Sequence, residues 1–283
     1  MLLALACVAP EDASLDDTAG TAGTVAGPAP LAEISDGQCP DLSVNTSTFS
    51  SGGVEREVRV IVPEGDTAGM PLVFVWHPLG ATARQMVQWL GLVDWAEQVG
   101  AVVVVPSARE DNLFEWDFWN DDAYDVTLFD DVRTCLADEL DVDLWRVSAT
   151  GMSAGGLWTT ELAMARADAL STVAIMSGGL MEGYLEYTTP ARPLPVLAMH
   201  GGESDTYDAG GIVLHFDEQT EDLVEGLVAD GSFVVVCDHG LGHTIPSDGV
   251  DTLAAWLPTH VWGEPSPFLD GLDGLPDYCA PFP

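Results

Sequence analysis

The sequence predicts a single α/β domain with a mainly parallel central sheet flanked by helices, and three observations carry that prediction. From about residue 54 to 260, β-type and helix-type segments alternate, as strands joined by helical crossovers do. Val102-Val103-Val104-Val105 holds no polar residue and reads as a strand covered on both faces, which is the habit of parallel sheets. Residues 145–167 read in succession as a strand, a tight turn of small residues and a helix. A length of 283 with 47% hydrophobic residues supplies one large core.

Taken in order, the expected strands are 56–62, 71–76, 101–105, 145–150, 171–176, 195–199 and 232–237, each a short run rich in Val, Ile, Leu or aromatic side chains. The expected helices are 82–98, 126–140, 153–167, 212–228 and 249–258, longer segments that separate those runs. Ahead of them, residues 8–36 consist largely of Ala, Gly, Thr, Pro and acids. Such a segment has too little apolar surface to fold and reads as a disordered tether, leaving 37–283 as the folded domain.

The chemistry is concentrated at three strand ends. Gly151-Met152-Ser153-Ala154-Gly155 follows the 145–150 strand and opens a helix, the context in which G-x-S-x-G forms a nucleophile elbow. The turn lifts the Ser153 hydroxyl above the sheet and sets it at the positive end of the next helix. A serine needs a base, and the base needs an orienting acid. After the 195–199 strand comes His200-Gly201-Gly202-Glu203-Ser204-Asp205, and after the 232–237 strand comes Asp238-His239-Gly240-Leu241-Gly242-His243. Asp205 is read as the acid, with Glu203 and Asp208 as rivals, and His243 as the base, with His239 as its competitor. His77 and His200, each closing a strand, read as loop-shaping residues. An oxyanion hole needs two aimed N–H donors. Ala154 supplies one, and the loop His77-Pro78-Leu79-Gly80 supplies the other, from Leu79 first and Gly80 second, because Pro78 has no N–H.

Five blocks, residues 52–63, the His77 loop, Asp130-Asp131-Val132, Thr150 to Gly156 and Gly242-His243-Thr244-Ile245-Pro246, resemble the polyhydroxybutyrate depolymerase and feruloyl esterase group of α/β-hydrolases over roughly residues 50–262. The resemblance implies an extracellular carboxylic ester hydrolase with a Ser153–His243–Asp205 triad and no metal or organic cofactor. Its substrate would be a feruloyl or acetyl ester of plant polysaccharide, or a polyester. Two departures stand out: Pro78 takes the place of the group's usual Gly, and Asp205 lies five rather than four residues after His200. The alternatives are a serine peptidase of the same fold and a binding lipoprotein without activity.

Trp116 and Trp119, in the long loop after the 101–105 strand, are candidate substrate contacts, since aromatic faces suit an aromatic acyl group or a sugar ring. The opposing reading is that they are core packers, as the alternation of Phe114, Trp116 and Phe118 suggests. Met1 to Cys7 reads as the end of a bacterial lipoprotein signal with Cys7 as the lipidated residue, which would make an anchor there the chain's one link to a membrane. Cys39, Cys135, Cys237 and Cys279 in an exported chain imply two disulfides, with three connectivities open and a terminal segment stapled to the body. No lysine is present, so the 8 basic residues are all arginine against 46 acids, a formal net charge of −38. That charge excludes nucleic acid and anionic lipid as partners and points to a saline setting or to a solubility bias, with a monomer expected.

Overall fold

The computed structural model describes residues 27–42, 45–109, 112–119, 123–209 and 211–283. Met1 to Cys7, and with them the lipoprotein expectation, lie outside the described residues.

One nine-stranded sheet organises the chain. β1 (Ser47–Ser51) and β2 (Val54–Ile61) form an antiparallel hairpin at one edge. Then come β4 (Val102–Pro106), β3 (Leu72–Trp76), β5 (Val147–Met152), β6 (Thr172–Met176), β7 (Val196–His200) and β10 (Val234–Asp238), all mutually parallel. β11 (Cys279–Pro281) closes the other edge antiparallel to β10. A separate two-stranded hairpin, β8 (Thr206–Ala209) and β9 (Ile212–His215), projects just after β7.

Helices cover both faces because the parallel strands are apolar on both. Phe74, Val104, Ala149, Ile175 and Ala198 pack on one side against α3 (Tyr124–Leu140), α4 (Ala154–Ala165) and α5 (Phe216–Ala229). Their strand neighbours Val73, Val103, Ala174 and Leu197 pack on the other side against α1 (Ala83–Trp89), α2 (Leu92–Val99) and α6 (Gly249–Trp256). This period-2 division is what a three-layer sandwich requires. Val102 to Val105 are fully buried, each side chain contributing about 2 kcal/mol of transfer free energy.

The structure departs from the sequence expectations at several places. The helix expected over 82–98 is two, because Gly91 takes a left-handed φ of 59° and ends the first before the second begins. Residues 212–215, expected as the first turn of a helix, pair with 206–209 as β9, so α5 starts at Phe216. Residues 144–146 form a short 3-10 turn, so the strand expected from 145 starts at Val147. β1 and β11 were not anticipated.

The last departure is at the N-terminal side. Residues 27–36, expected as the end of a disordered tether, lie bound along α3. Arg133 Nη2 donates to the Ala29 carbonyl at 2.5 Å, and Ser35 N–H donates to Asp131 Oδ1 at 3.0 Å. Ala29 N–H reaches the Asp168 carbonyl at 2.8 Å. The segment has little apolar surface, and these polar partners on the folded body hold it instead. Two disulfides fasten the ends of the domain, Cys39–Cys135 onto α3 and Cys237–Cys279 between β10 and β11. Among the described residues, no helix is long and apolar enough to cross a membrane.

Candidate active site

The chain runs from β3 out to β4 and then back past β3 to β5, so the crossovers leave β3 in opposite directions. A crevice opens at the carboxyl ends of strands where connections diverge in this way. Ser153 lies at the end of β5 there, in a strained conformation with φ 56° and ψ −121°. Such a backbone costs on the order of 1–3 kcal/mol and persists only where packing dictates it. The dictating contacts are glycine contacts. A Cβ on Gly155 would sit 2.2 Å from the Trp76 carbonyl oxygen and 2.7 Å from that of His77, and one on Gly151 would sit 2.2 Å from the Gly155 oxygen. The start of α4 is thereby pressed against the end of β3 and its loop.

Three side chains converge at this turn. His243 Nε2 lies 3.0 Å from Ser153 Oγ, and His243 Nδ1 lies 2.7 Å from Asp205 Oδ1. The loops carrying the acid and the histidine are joined by backbone bonds, from Gly242 N–H to the Gly201 carbonyl and from His239 N–H to that of His200, both 3.0 Å. Asp205 has no exposed surface, while Glu203 and Asp208, its rivals, point into solvent. Burial alone would raise the Asp205 pKa. The hydrogen bond to His243 and those donated by Gly201 N–H and the Ser177 hydroxyl, both 2.8 Å to Oδ2, outweigh it and hold the carboxyl below its ordinary value. Phe216 stacks on the His243 ring, with centroids 4.8 Å apart and planes 13° from parallel, and limits how the imidazole can turn. His239 is not part of this chain of contacts; its Nδ1 accepts from Leu241 N–H instead.

Ala154, the first residue of α4, has an N–H with no acceptor inside its own helix. In the facing loop, Gly80 N–H is taken by the Glu115 carboxylate at 3.1 Å, which removes Gly80 as a second donor. Leu79 N–H donates to no described residue. His77 shapes this loop: its Nδ1 donates to the Pro78 carbonyl at 3.0 Å while Nε2 accepts from Ala108 N–H at 3.0 Å, so the ring is neutral. Burial lowers its pKa accordingly. Likewise, His200 Nδ1 accepts from Gly202 N–H within the turn after β7.

The aromatic expectation needs correction. Trp116 has no exposed surface: it packs edge-on against Trp76 and donates Nε1–H to the His77 carbonyl at 2.9 Å, so it is a core residue beneath the loop and cannot touch a substrate. Trp119 is half-buried, with its Nε1–H held by Asn112 Oδ1 at 2.6 Å. Residues 112–119 form turns, not a strand, and Phe114 and Phe118 are buried within them. Sequence reasoning also missed Ser177, Phe216 and Glu115. Only Ser177 carried a signal, as the first residue of a Ser-Gly-Gly after the β6 strand; it too has a positive φ, 44°.

No family model matches the chain. Its sequence is 30% identical to feruloyl esterase D of Neurospora crassa over 152 residues, 49% of this chain and 50% of that one. It is 32% identical to feruloyl esterase C of Emericella nidulans over 162 residues, 52% of this chain and 58% of that one. The chain therefore spans about half the length of the curated relatives it matches. Among solved structures it is similar to native sOPH, at 17% identity and a TM-score of 0.72, over 88% of this chain and 96% of that one. It is also similar to a ferulic acid esterase, at 14% identity and a TM-score of 0.60, over 75% and 95%. The chain has the α/β-hydrolase fold, and over about half its length its sequence is similar to those of feruloyl esterases.

Proposed function

We propose that the chain is an exported serine carboxylic ester hydrolase that works through an acyl-enzyme. One observation carries this reading: the continuous contact from Ser153 Oγ through His243 to buried, charged Asp205, 3.0 and 2.7 Å, at the strand-end crevice. Asp205 accepts from His243 Nδ1–H and so leaves Nε2 as the base facing the hydroxyl. His243 takes the Ser153 proton as Oγ attacks the ester carbonyl. The N–H groups of Ala154 and Leu79 stabilise the tetrahedral oxyanion. The alcohol departs with the proton from His243, and water activated by the same imidazole releases the acid. The relatives favour a feruloyl ester as substrate. The two disulfides favour an oxidising, extracellular setting.

The test is hydrolysis of p-nitrophenyl acetate and methyl ferulate by the native chain and by Ser153→Ala. Turnover by the native chain that falls by at least ~10³-fold in the variant is expected. Equal turnover by the two would reject Ser153 as the nucleophile. Methyl ferulate preferred over the acetate would support the feruloyl substrate.

A further inference from the structure

The acyl-transfer steps leave Glu115 without a task, although its carboxylate touches the loop that bears Leu79. Glu115 has a left-handed φ of 70°, which residues other than Gly, Asn and Asp seldom adopt. Its backbone is held there from both sides. Glu115 N–H donates to the Asn112 carbonyl at 3.1 Å, and Arg109 N–H donates to the Glu115 carbonyl at 3.3 Å. Glycine would take this conformation without strain, so a side chain here points to a contact it must make.

The loop it touches is a β-turn. Ala81 N–H donates to the Pro78 carbonyl at 3.1 Å, which makes Leu79 and Gly80 the central residues. Gly80 has a φ of 75° and Leu79 has no positive φ, the combination of a type II turn. Type II differs from type I chiefly by a half-rotation of the peptide joining the central residues, here Leu79–Gly80. The Glu115 carboxylate accepts Gly80 N–H with both oxygens, each at 3.1 Å. It attracts that N–H, and it would repel the Leu79 carbonyl oxygen that a rotated peptide turns towards it.

The other bonds to the loop act elsewhere. Trp116 Nε1–H takes the His77 carbonyl, and the His77 ring takes that of Pro78. Neither restrains the Leu79–Gly80 peptide. Nor is His77 the partner of the carboxylate, since its Nδ1 lies 3.8 Å from Glu115 Oε2 and donates to Pro78 instead. Rotation of the peptide is absorbed by ψ of Leu79 and φ of Gly80, so it disturbs the residue whose N–H serves the oxyanion.

We propose that Glu115 is the positioning residue of the oxyanion hole: its carboxylate fixes the Leu79–Gly80 peptide and so keeps Leu79 N–H aimed at the tetrahedral oxyanion. This inference rests on the ester hydrolase reading. A donor fixed in advance acts on the transition state and not on the bound ester, so loosening it lowers kcat and leaves KM.

The experiment is p-nitrophenyl acetate turnover and thermal melting of the native chain, Glu115→Gly and Glu115→Gln. Gly removes the carboxylate and relieves the backbone, while giving the unfolded chain more freedom. These effects oppose, and the melting temperature is expected to stay within about 4 °C of the native value. The kcat of Glu115→Gly is expected to fall at least roughly tenfold with KM within about twofold, short of the ~10²–10³-fold that outright loss of a donor costs. Gln keeps an oxygen for Gly80 N–H and is expected to bring kcat back to at least about a third of the native value. Unchanged kcat in Glu115→Gly, a raised KM with kcat intact, a melting temperature that drops beyond that range, or a Gln variant as slow as the Gly variant each overturns the proposal. In all of these the native chain still hydrolyses the ester, and the hydrolase reading stands. A native chain without turnover overturns that reading and this inference together.

Discussion

At the residue scale, Asp205 and Asp117 are both buried carboxyls with opposite behaviour, and their partners explain why. Asp205 receives three hydrogen bonds and is held below its ordinary pKa. Replacing it with Asn keeps the shape but reverses one bond. Gly201 N–H and the Ser177 hydroxyl both donate to Oδ2, so they select the amide oxygen at that position. The amide NH2 must then face His243 Nδ1, which puts the proton on Nε2 and presents the wrong tautomer to Ser153. Asp205→Asn should therefore lower kcat by about 10⁴-fold, measured with p-nitrophenyl acetate. Because the folded pKa is depressed, the stability Asp205 contributes is present above its unfolded value near 4 and is lost as pH falls through the lower folded value. The melting-temperature gap between native chain and variant should narrow below about pH 4.

Asp117 has the reverse sign: burial and the neighbouring Asp125 carboxylate push it up to about 6, against the pull of Arg109 and Arg56. The folded state then holds a proton that the unfolded chain has released, so stability falls as pH rises from about 4 to about 6. Melts of Asp117→Asn across that window should show a flatter slope than the native chain; parallel slopes would contradict the assignment.

At the scale of elements, the elbow depends on two backbones touching. A Cβ on Gly155 would meet the Trp76 carbonyl at 2.2 Å, and neither group can yield, since one belongs to a central strand and the other to the first turn of α4. Gly155→Ala should cost at least ~3 kcal/mol, read as a lowered denaturation midpoint, whereas Gly37→Ala, whose added Cβ meets nothing within 4 Å, should cost far less despite its positive φ. The G-x-S-x-G pattern was legible because this packing demands small residues at fixed positions. Asp205 and His243 were legible for a related reason: each follows a buried strand whose run of Val, Leu and Met marks where the sheet ends. β1 was not, because Ser47-Thr48-Phe49-Ser50-Ser51 becomes a strand only by pairing with β2. β11 is three residues long and is defined by a disulfide and an edge partner some 40 positions away in sequence. The Glu115 bond to Gly80 N–H depends on two loops meeting through space, which local pattern does not encode. Ser177 and Trp116 left local traces, the Ser-Gly-Gly after β6 and the alternation of Phe114, Trp116 and Phe118, that did not by themselves place the side chains.

For the whole molecule the deciding quantity is charge. With 46 acids and 8 arginines, like charges face one another over most of the surface, and several arginines are already committed: Arg166 to Asp130 at 2.7 Å, Arg146 to Asp143 at 2.7 Å and Arg56 to Asp125. The remaining carboxylates repel, and compaction brings them closer than they are in the unfolded chain. That repulsion reaches about 30 Å at 0.01 M salt but only about 3 Å at 1 M. Screening also weakens the favourable pairs, yet those are few and partly buried, where salt acts least. Salt should therefore stabilise this fold on balance. The melting temperature is expected to climb steadily between about 0.01 and 1 M sodium chloride, most steeply at the low end where the screening length changes most. A melting temperature that stays level or falls over that range would mean that paired charges, not the unpaired carboxylates, dominate the electrostatics of the folded state.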